Sequence, residues 1–261
     1  IEGAFFPEFG EKHVIPPFTI PDHWLRFRSG DWGSAKPFSI GWWAVVGDDF
    51  KLSGIELPHR ILPRGALIRY KEWYGASAPN VGLKLTAEEV AEGIVSRETK
   101  EPRDAEGKTG IAYGVLDPSA FASDGGPSIA ERMSRPPWRV FFRRADNARV
   151  SQRGAMGGWD QVRARLQGDG ERPMIYFFST CTDSIRTLPA LQHDADKPED
   201  VDTESEDHAP DEIRYACMSR PYVKEAQERA DRRIISVGPS NQVTLDDLWE
   251  QQPARKTPER V

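Results

Sequence analysis

Alternation of apolar and polar positions starts at residue 23. Along HWLRFRSGDWG, Trp24, Arg26 and Arg28 interleave with Leu25, Phe27 and Ser29 up to a Gly-Asp-Trp-Gly corner, and this period of two predicts a strand. FSIGWWAVVGDDF, rich in aromatic and β-branched residues, predicts a second strand that turns at Gly47, Asp48 and Asp49, and ALIRYKEWYG, residues 66–75, a third. Three strands with short connections form an antiparallel meander. At Thr86 the period lengthens. TAEEVAEGIVSRETK has an N-cap Thr86 with Glu89 three residues on, a capping box, and Val90, Ile94 and Val95 at helical spacing. Beyond it, IAYGVLDPS (111–119) predicts a buried strand ended by Asp117 and Pro118, SIAERM a short helix, and WRVFFRRA (138–145) a strand. A helix follows from Trp159 with Val162 and Leu166 as its stripe, then a central strand in MIYFFSTC (174–181) and a short helix in SIRTLPAL. From Asp207, HAPDEIRYACMS predicts a last helix with Pro210 in its first turn. The order predicts an α/β domain: a mixed sheet, three-stranded antiparallel meander plus parallel strands, flanked by helices.

The ends read differently. Residues 1–22 carry Pro7, Pro16, Pro17 and Pro21 among aromatics and read as an extended, docked linker. Residues 222–261 are a charged tail in which TLDDLWE is the one helical turn expected. The chain opens IEGAFFPEF, without Met, basic region or cleavage signature, and is expected to be a piece of a longer protein. Cys181 and Cys217, far apart, are expected as free thiols of a reducing compartment, which excludes a zinc ribbon and a disulfide scaffold. The longest apolar run, IGWWAVV, falls far short of the roughly 20 residues of a membrane span, so no membrane partner is expected.

Charge changes the picture only locally. Residues 194–212 hold ten acids and one base, and without them the chain keeps 34 bases and 31 acids, a net of +3 that permits an anionic partner. Three acids stand out by position: Asp31 at the end of the first strand, Asp117 at the end of the strand after the meander, and Asp211 in the first turn of the last helix. Sites gather at strand ends in open α/β sheets. Unpaired carboxylates packed there would repel and raise one another's pKa, and divalent Mg2+ or Mn2+ is the usual remedy. His208, three residues before Asp211, shares its helical face and is a neighbouring ligand candidate. Two such ions clamping attacking and leaving oxygens is how phosphodiesters are cut. Taken singly, each acid is also an ordinary turn or cap residue. Asp48, Asp49, Asp124, Asp146 and Asp183 are read as solvated turn residues. Arg135, Arg139, Arg143, Arg144, Arg149 and Arg153, with Trp138 and Phe142 interleaved, offer a DNA path, in which alternation sets Arg139 and Arg143 on one face and Arg144 on the other. Lys36, just after the first corner, is placed to meet a phosphate. Gly107, Lys108 and Thr109 only partly match a phosphate-binding loop, whose first glycine is Pro102 here, and are rejected as one.

GDWGSAKPFSIGWW, GVLDPSAFASDGGPSIAERM and the segment from FFSTCTDS to HAPDEIRYACMSRP, in that order, resemble the RNase H-like nuclease domain of tailed-phage terminase large subunits over roughly residues 23–221. The resemblance implies a metal-dependent DNA endonuclease that cuts concatemeric viral DNA during packaging, with two divalent ions (Mg2+ or Mn2+). It implies Asp31 as the bridging ligand, Asp117 and Asp211 as the others and His208 beside them. Glu199, Asp200, Asp202 and Asp207 are possible contributors from the acidic loop. Residues 1–22 would be what remains of a connector to an absent N-terminal ATPase domain. The implied partners are double-stranded DNA, that ATPase domain, the terminase small subunit and the portal protein, in the host cell cytoplasm. Two alternatives stay open: a catalytically silent DNA- or partner-binding module of the motor, and another RNase H-like nuclease such as a junction resolvase.

Overall fold

The structure is a computed structural model and describes residues 3–52, 61–103, 109–152, 154–202 and 204–224. Arg153, Gly107 and Lys108, and the expected TLDDLWE turn of the tail lie outside the described residues. In chain order the strands are β1 (Val14–Ile15), β2 (Leu25–Asp31), β3 (Ser39–Val45), β4 (Phe50–Lys51), β5 (Ile61–Leu62), β6 (Leu67–Tyr74), β7 (Ala76–Ala78), β8 (Val81–Gly82), β9 (Ile111–Leu116), β10 (Arg143–Arg144) and β11 (Ile175–Phe178). The α-helices are α1 (Ala87–Arg97), α2 (Ile129–Ser134), α3 (Gly158–Gln167), α4 (Thr182–Thr187) and α5 (His208–Met218).

Seven strands make one mixed sheet in the order β1-β11-β6-β3-β2-β9-β10. The meander β2-β3-β6 is antiparallel and sits at its middle, while β9 and β10 extend it in parallel beyond β2, and β11 and β1 beyond β6. The pleat sends alternate side chains to opposite faces. Leu25, Phe27, Trp43, Val45 and Phe177 meet Trp159, Val162 and Leu166 of α3 and Ile213 and Ala216 of α5 on one face. Ile40, Trp42, Ile111 and Leu116 meet α1 and α2 on the other. Phe5 and Phe6 are buried in the α3/α5 core, and β1 pairs in parallel with β11, so residues 3–22 pack as part of the sheet and its core.

α1 starts where the sequence places it. Thr86 Oγ1 accepts from the Glu89 N–H at 3.3 Å and Glu89 Oε2 accepts from the Thr86 N–H at 2.7 Å. Val90 and Ile94 are buried and Val95 is exposed.

The expected strand over 138–145 shrinks to Arg143–Arg144. Arg139 adopts a left-handed φ of 53°, and the N–H groups of Arg139 and Val140 bond back to the Arg135 and Met133 carbonyls at the end of α2. That curl breaks the alternation. Arg139 lines a cavity with Arg28 and Val95 on the α1 face. Arg143 lies over the Tyr113 ring, 4.4 Å from its centroid, and donates to the Ser219 carbonyl just past α5. Arg139 and Arg143 therefore do not share a face, contrary to the sequence reading. Arg144 lies over Phe121, away from Arg143, as expected. Cys181 and Cys217 are free and buried. Among the described residues no helix is long and apolar enough to cross a membrane.

Candidate functional site

Two strand ends and one helix start build the site. β2 and β9 run parallel with Gly30 opposite Leu116, so the next residues, Asp31 and Asp117, come side by side, and the Asp117 N–H bonds the Gly30 carbonyl at 3.0 Å. Alternation from Phe27 and Tyr113, which stack on the α3/α5 side, turns both acids toward α5. α5 begins over them. His208 Nδ1 lies 3.2 Å from Asp31 Oδ2, and Asp211, one turn on, is buried with Asp31 and Asp207. The three acids singled out by position are thus drawn to one place.

Burial, then the charges of Asp211, Asp117 and Asp207, push the Asp31 carboxyl well above the usual carboxylate range. Asp207 is pushed up to about 6, by burial and then by Asp211. Burial holds His208 below its usual value against the pull of the acids, and the Lys36 charge adds to that direction. The imidazole sits between Asp31 and Asn80, its Nε2 3.2 Å from Asn80 Oδ1. The ring bridges the Asp31 carboxyl and the Asn80 amide, whose oxygen accepts from Nε2 or whose N–H2 donates to it according to the tautomer of the ring.

Asp211 differs from the sequence expectation, which had it unpaired. Its Oδ2 accepts from Arg149 Nη1 at 3.2 Å and its Oδ1 from Arg214 Nε at 2.9 Å. Arg149 also binds Asp200 at 2.8 Å and lies 3.9 Å from Asp207, so the arginine read as a DNA contact faces the acids instead. Asp117 accepts from the Ser119 N–H at 3.0 Å and from the Ser119 hydroxyl. Asp200 and Asp207 belong to the cluster, whereas Glu199 is exposed and Asp202 accepts from the Glu204 N–H. Lys36, Arg143 and Arg144 are exposed, Lys36 close enough to His208 for its charge to be felt.

In charge and chemistry this donor set fits a hard divalent cation: oxygen ligands in excess of positive charge, with one imidazole. Its side chains are not yet closed into a cage. Among the described residues no three His, Cys, Asp or Glu side chains are grouped so as to hold a metal ion as they stand. Asp211 is turned to two arginines and Asp117 to Ser119, which accounts for the opening. Asn80, at the β7–β8 turn with a left-handed φ of 57°, and Arg214 escape sequence reading. An Asn beside a turn signals only the turn.

No family model and no curated protein matches the chain. Solved structures do. The large terminase of a thermophilic bacteriophage matches with a TM-score of 0.58 and 17% identity, over 84% of this chain and 44% of that one. The P22 large terminase nuclease domain matches with a TM-score of 0.57 and 14% identity, over 85% of this chain and 95% of that one. The fold is that of a large terminase nuclease domain. The chain spans less than half the length of the thermophilic phage's terminase. Within the terminase nuclease fold, the acids stand at the C-terminal ends of two neighbouring parallel strands and under the first turn of the last core helix.

Proposed function

We propose that the chain is a divalent-metal-dependent DNA endonuclease of a phage packaging motor, one that cuts concatemeric viral DNA. The observation that carries this reading is the meeting of Asp31, Asp117 and Asp211, from three elements far apart in sequence, with Asp31 raised by burial and by the other two. In this reading Asp31, Asp117 and Asp211 hold Mg2+ or Mn2+, with His208 beside them. When bound, two such ions supply charge neutralisation at the scissile phosphate and activation of the attacking water. The chain's own residues do the rest. His208 Nδ1, 3.2 Å from Asp31 Oδ2, would hold that carboxylate in place beside a bound ion. Asn80 holds the other ring nitrogen and fixes the imidazole's orientation. Lys36, Arg143 and Arg144 are exposed and offer sequence-independent phosphate contacts, but Arg143 and Arg144 lie on opposite faces and Arg139 on the α1 face, so not all of them meet one duplex. Both thiols are buried and raised, Cys181 to about 12 and Cys217 to about 11, so neither is a nucleophile at neutral pH.

The reading extends to a packaging ATPase domain of the same polypeptide, a small subunit and a portal as partners, in the host cell cytoplasm. Conversion of supercoiled plasmid with Mg2+, Mn2+ or EDTA tests it, alongside Asp31→Asn. Metal-dependent cutting lost in the variant is the expected result. Cutting that survives Asp31→Asn refutes the assignment, and a preference for four-way junctions over linear duplex turns it toward a resolvase. One observation favours the second reading, a silent DNA- or partner-binding module: Asp211 is already neutralised by Arg149 and Arg214. That reading predicts no cutting with any divalent ion in a folded chain.

A further inference from the structure

α5 presents Asp211 to the acid cluster and its next residue, Glu212, to the sheet. Glu212 and Arg69 of β6 are both fully buried and form an ion pair. The Glu212 carboxylate also accepts from the Ser29 hydroxyl of β2, from Trp43 Nε1 of β3 at 3.0 Å and from the Ser39 hydroxyl at 3.5 Å. Gly41 makes the room, since a Cβ there would run into both Arg69 and Glu212. On its far side Arg69 meets Glu72 at 3.4 Å, and Glu72 takes the N–H groups of Asp183 and Ser184 at the start of α4.

Stability alone gives such a pair little reason to exist. Desolvating each ion costs several kcal/mol, and well-packed apolar replacements of buried pairs are often neutral or stabilising. What the pair has is position. Ser29 lies two residues before Asp31 on the same face of β2, and Ser39 is the register partner of Asp31. One carboxylate thus ties the helix that carries His208 and Asp211 to the strand that carries Asp31 and to its neighbour. Successive helical residues are set about 100° apart, so a one-residue turn of α5 would swing Asp211 away from Asp31.

We propose that Glu212 and Arg69 are positioning residues that fix the rotation of α5 on the sheet, and through it the divalent-ion affinity of the site. This inference rests on the metal-dependent reading above. The test is Mn2+ titration of the full chain by calorimetry, with thermal unfolding in EDTA as the fold control. The Arg69→Met/Glu212→Leu double variant removes both charges together, and it is expected to keep its melting temperature within a few degrees while Mn2+ affinity drops at least tenfold. Glu212→Gln, which keeps acceptors for Ser29 and Trp43, is expected to retain more of that affinity than the double variant. Unchanged Mn2+ affinity in a folded double variant overturns the proposal. Should the double variant fail to fold, Ser29→Ala and Trp43→Phe each remove one bond to Glu212 without stranding a charge. Each is expected to weaken Mn2+ binding about threefold in a folded chain, and unchanged affinity in both overturns the proposal. If the unaltered chain shows no Mn2+ binding that Asp31→Asn abolishes, the metal reading fails and the inference with it. If it shows such binding and the variants match it, the inference fails alone.

Discussion

Asp31 and Asp211 share one site but keep opposite company, and are expected to respond in opposite senses to neutralisation. Asp31 is raised by burial and by three neighbouring acids. Asp31→Asn is therefore expected to stabilise the metal-free chain at pH 7, on the order of 1 kcal/mol, the size of a common single-residue effect. Asp211 pairs the buried Arg214 and the half-buried Arg149, and Asp211→Asn is expected to destabilise by a similar or larger amount because it leaves Arg214 with only neutral hydrogen-bond partners, while Arg149 keeps Asp200. Urea denaturation of both variants in EDTA checks this, and shifts of the same sign would refute the pairing. The pH dependence follows from the same groups. An unfolded Asp titrates near 3.9, and Asp207 is pushed up to about 6, so the folded chain holds its proton more tightly. Its contribution is present below about pH 4 and is lost as pH rises through about 6, with Asp31 acting in the same direction. Against its burial Asp200 is held low by Arg149, and Glu206 is held low by Arg186; both act the other way, losing stability as pH falls below about 4. In EDTA the melting temperature is expected to be higher at pH 5 than at pH 7.5, by roughly 2–4 °C per kcal/mol, and Asp207→Asn should shrink the difference. Residue type and position are enough to single out Asp31, Asp117, Asp211 and His208. The partners of those residues are not legible, because Arg149 reads equally as a surface phosphate contact until the fold brings Asp200 to it. Arg26 and Arg28 show the same limit: alternation predicts the strand but not their partners, and both are buried against Glu101 and Glu98.

Elements with strong local signals are the legible ones. α1 is marked by its capping box and its stripe, and Thr86→Ala is expected to cost about 1 kcal/mol in urea denaturation. Within the same helix, propensity misleads. Gly93→Ala should stabilise an exposed helix by about 1 kcal/mol. Here a Cβ would come within 2.2 Å of the Trp73 ring, which is held by Phe38 at 4.7 Å and by the Arg97 guanidinium at 3.8 Å. The expected outcome is a net loss of about 1–3 kcal/mol, and a raised melting temperature would show that Trp73 yields. The segment 138–145 misleads for a related reason. Its apolar and basic alternation looks like a strand, but Val140 is committed to the end of α2 and Arg28 donates to the Phe141 carbonyl at 3.0 Å, so little of the backbone is left for β9.

At the scale of the molecule, the order of elements is enough for the mixed sheet, while the place of the first residues comes only from packing. Phe5 and Phe6 lie edge-on to Trp159 at 5.8 and 5.9 Å, and His13 Nε2 is 2.9 Å from the Leu166 carbonyl. A chain starting at residue 23 is expected to melt well below the full chain. Equal melting temperatures would show that these aromatics contribute nothing to the core. Whatever the site does, it closes late. His208 and Asp31 are separated by 177 positions, and α5 is the last helix of the described residues. Ribosomes add roughly 5–20 residues per second, and N-terminal parts fold first. From the synthesis of Asp117 until α5 emerges, the growing chain therefore carries both strand-end acids without the helix that faces them. If those acids cut DNA, the nascent chain has no complete cutting site until α5 has left the ribosome.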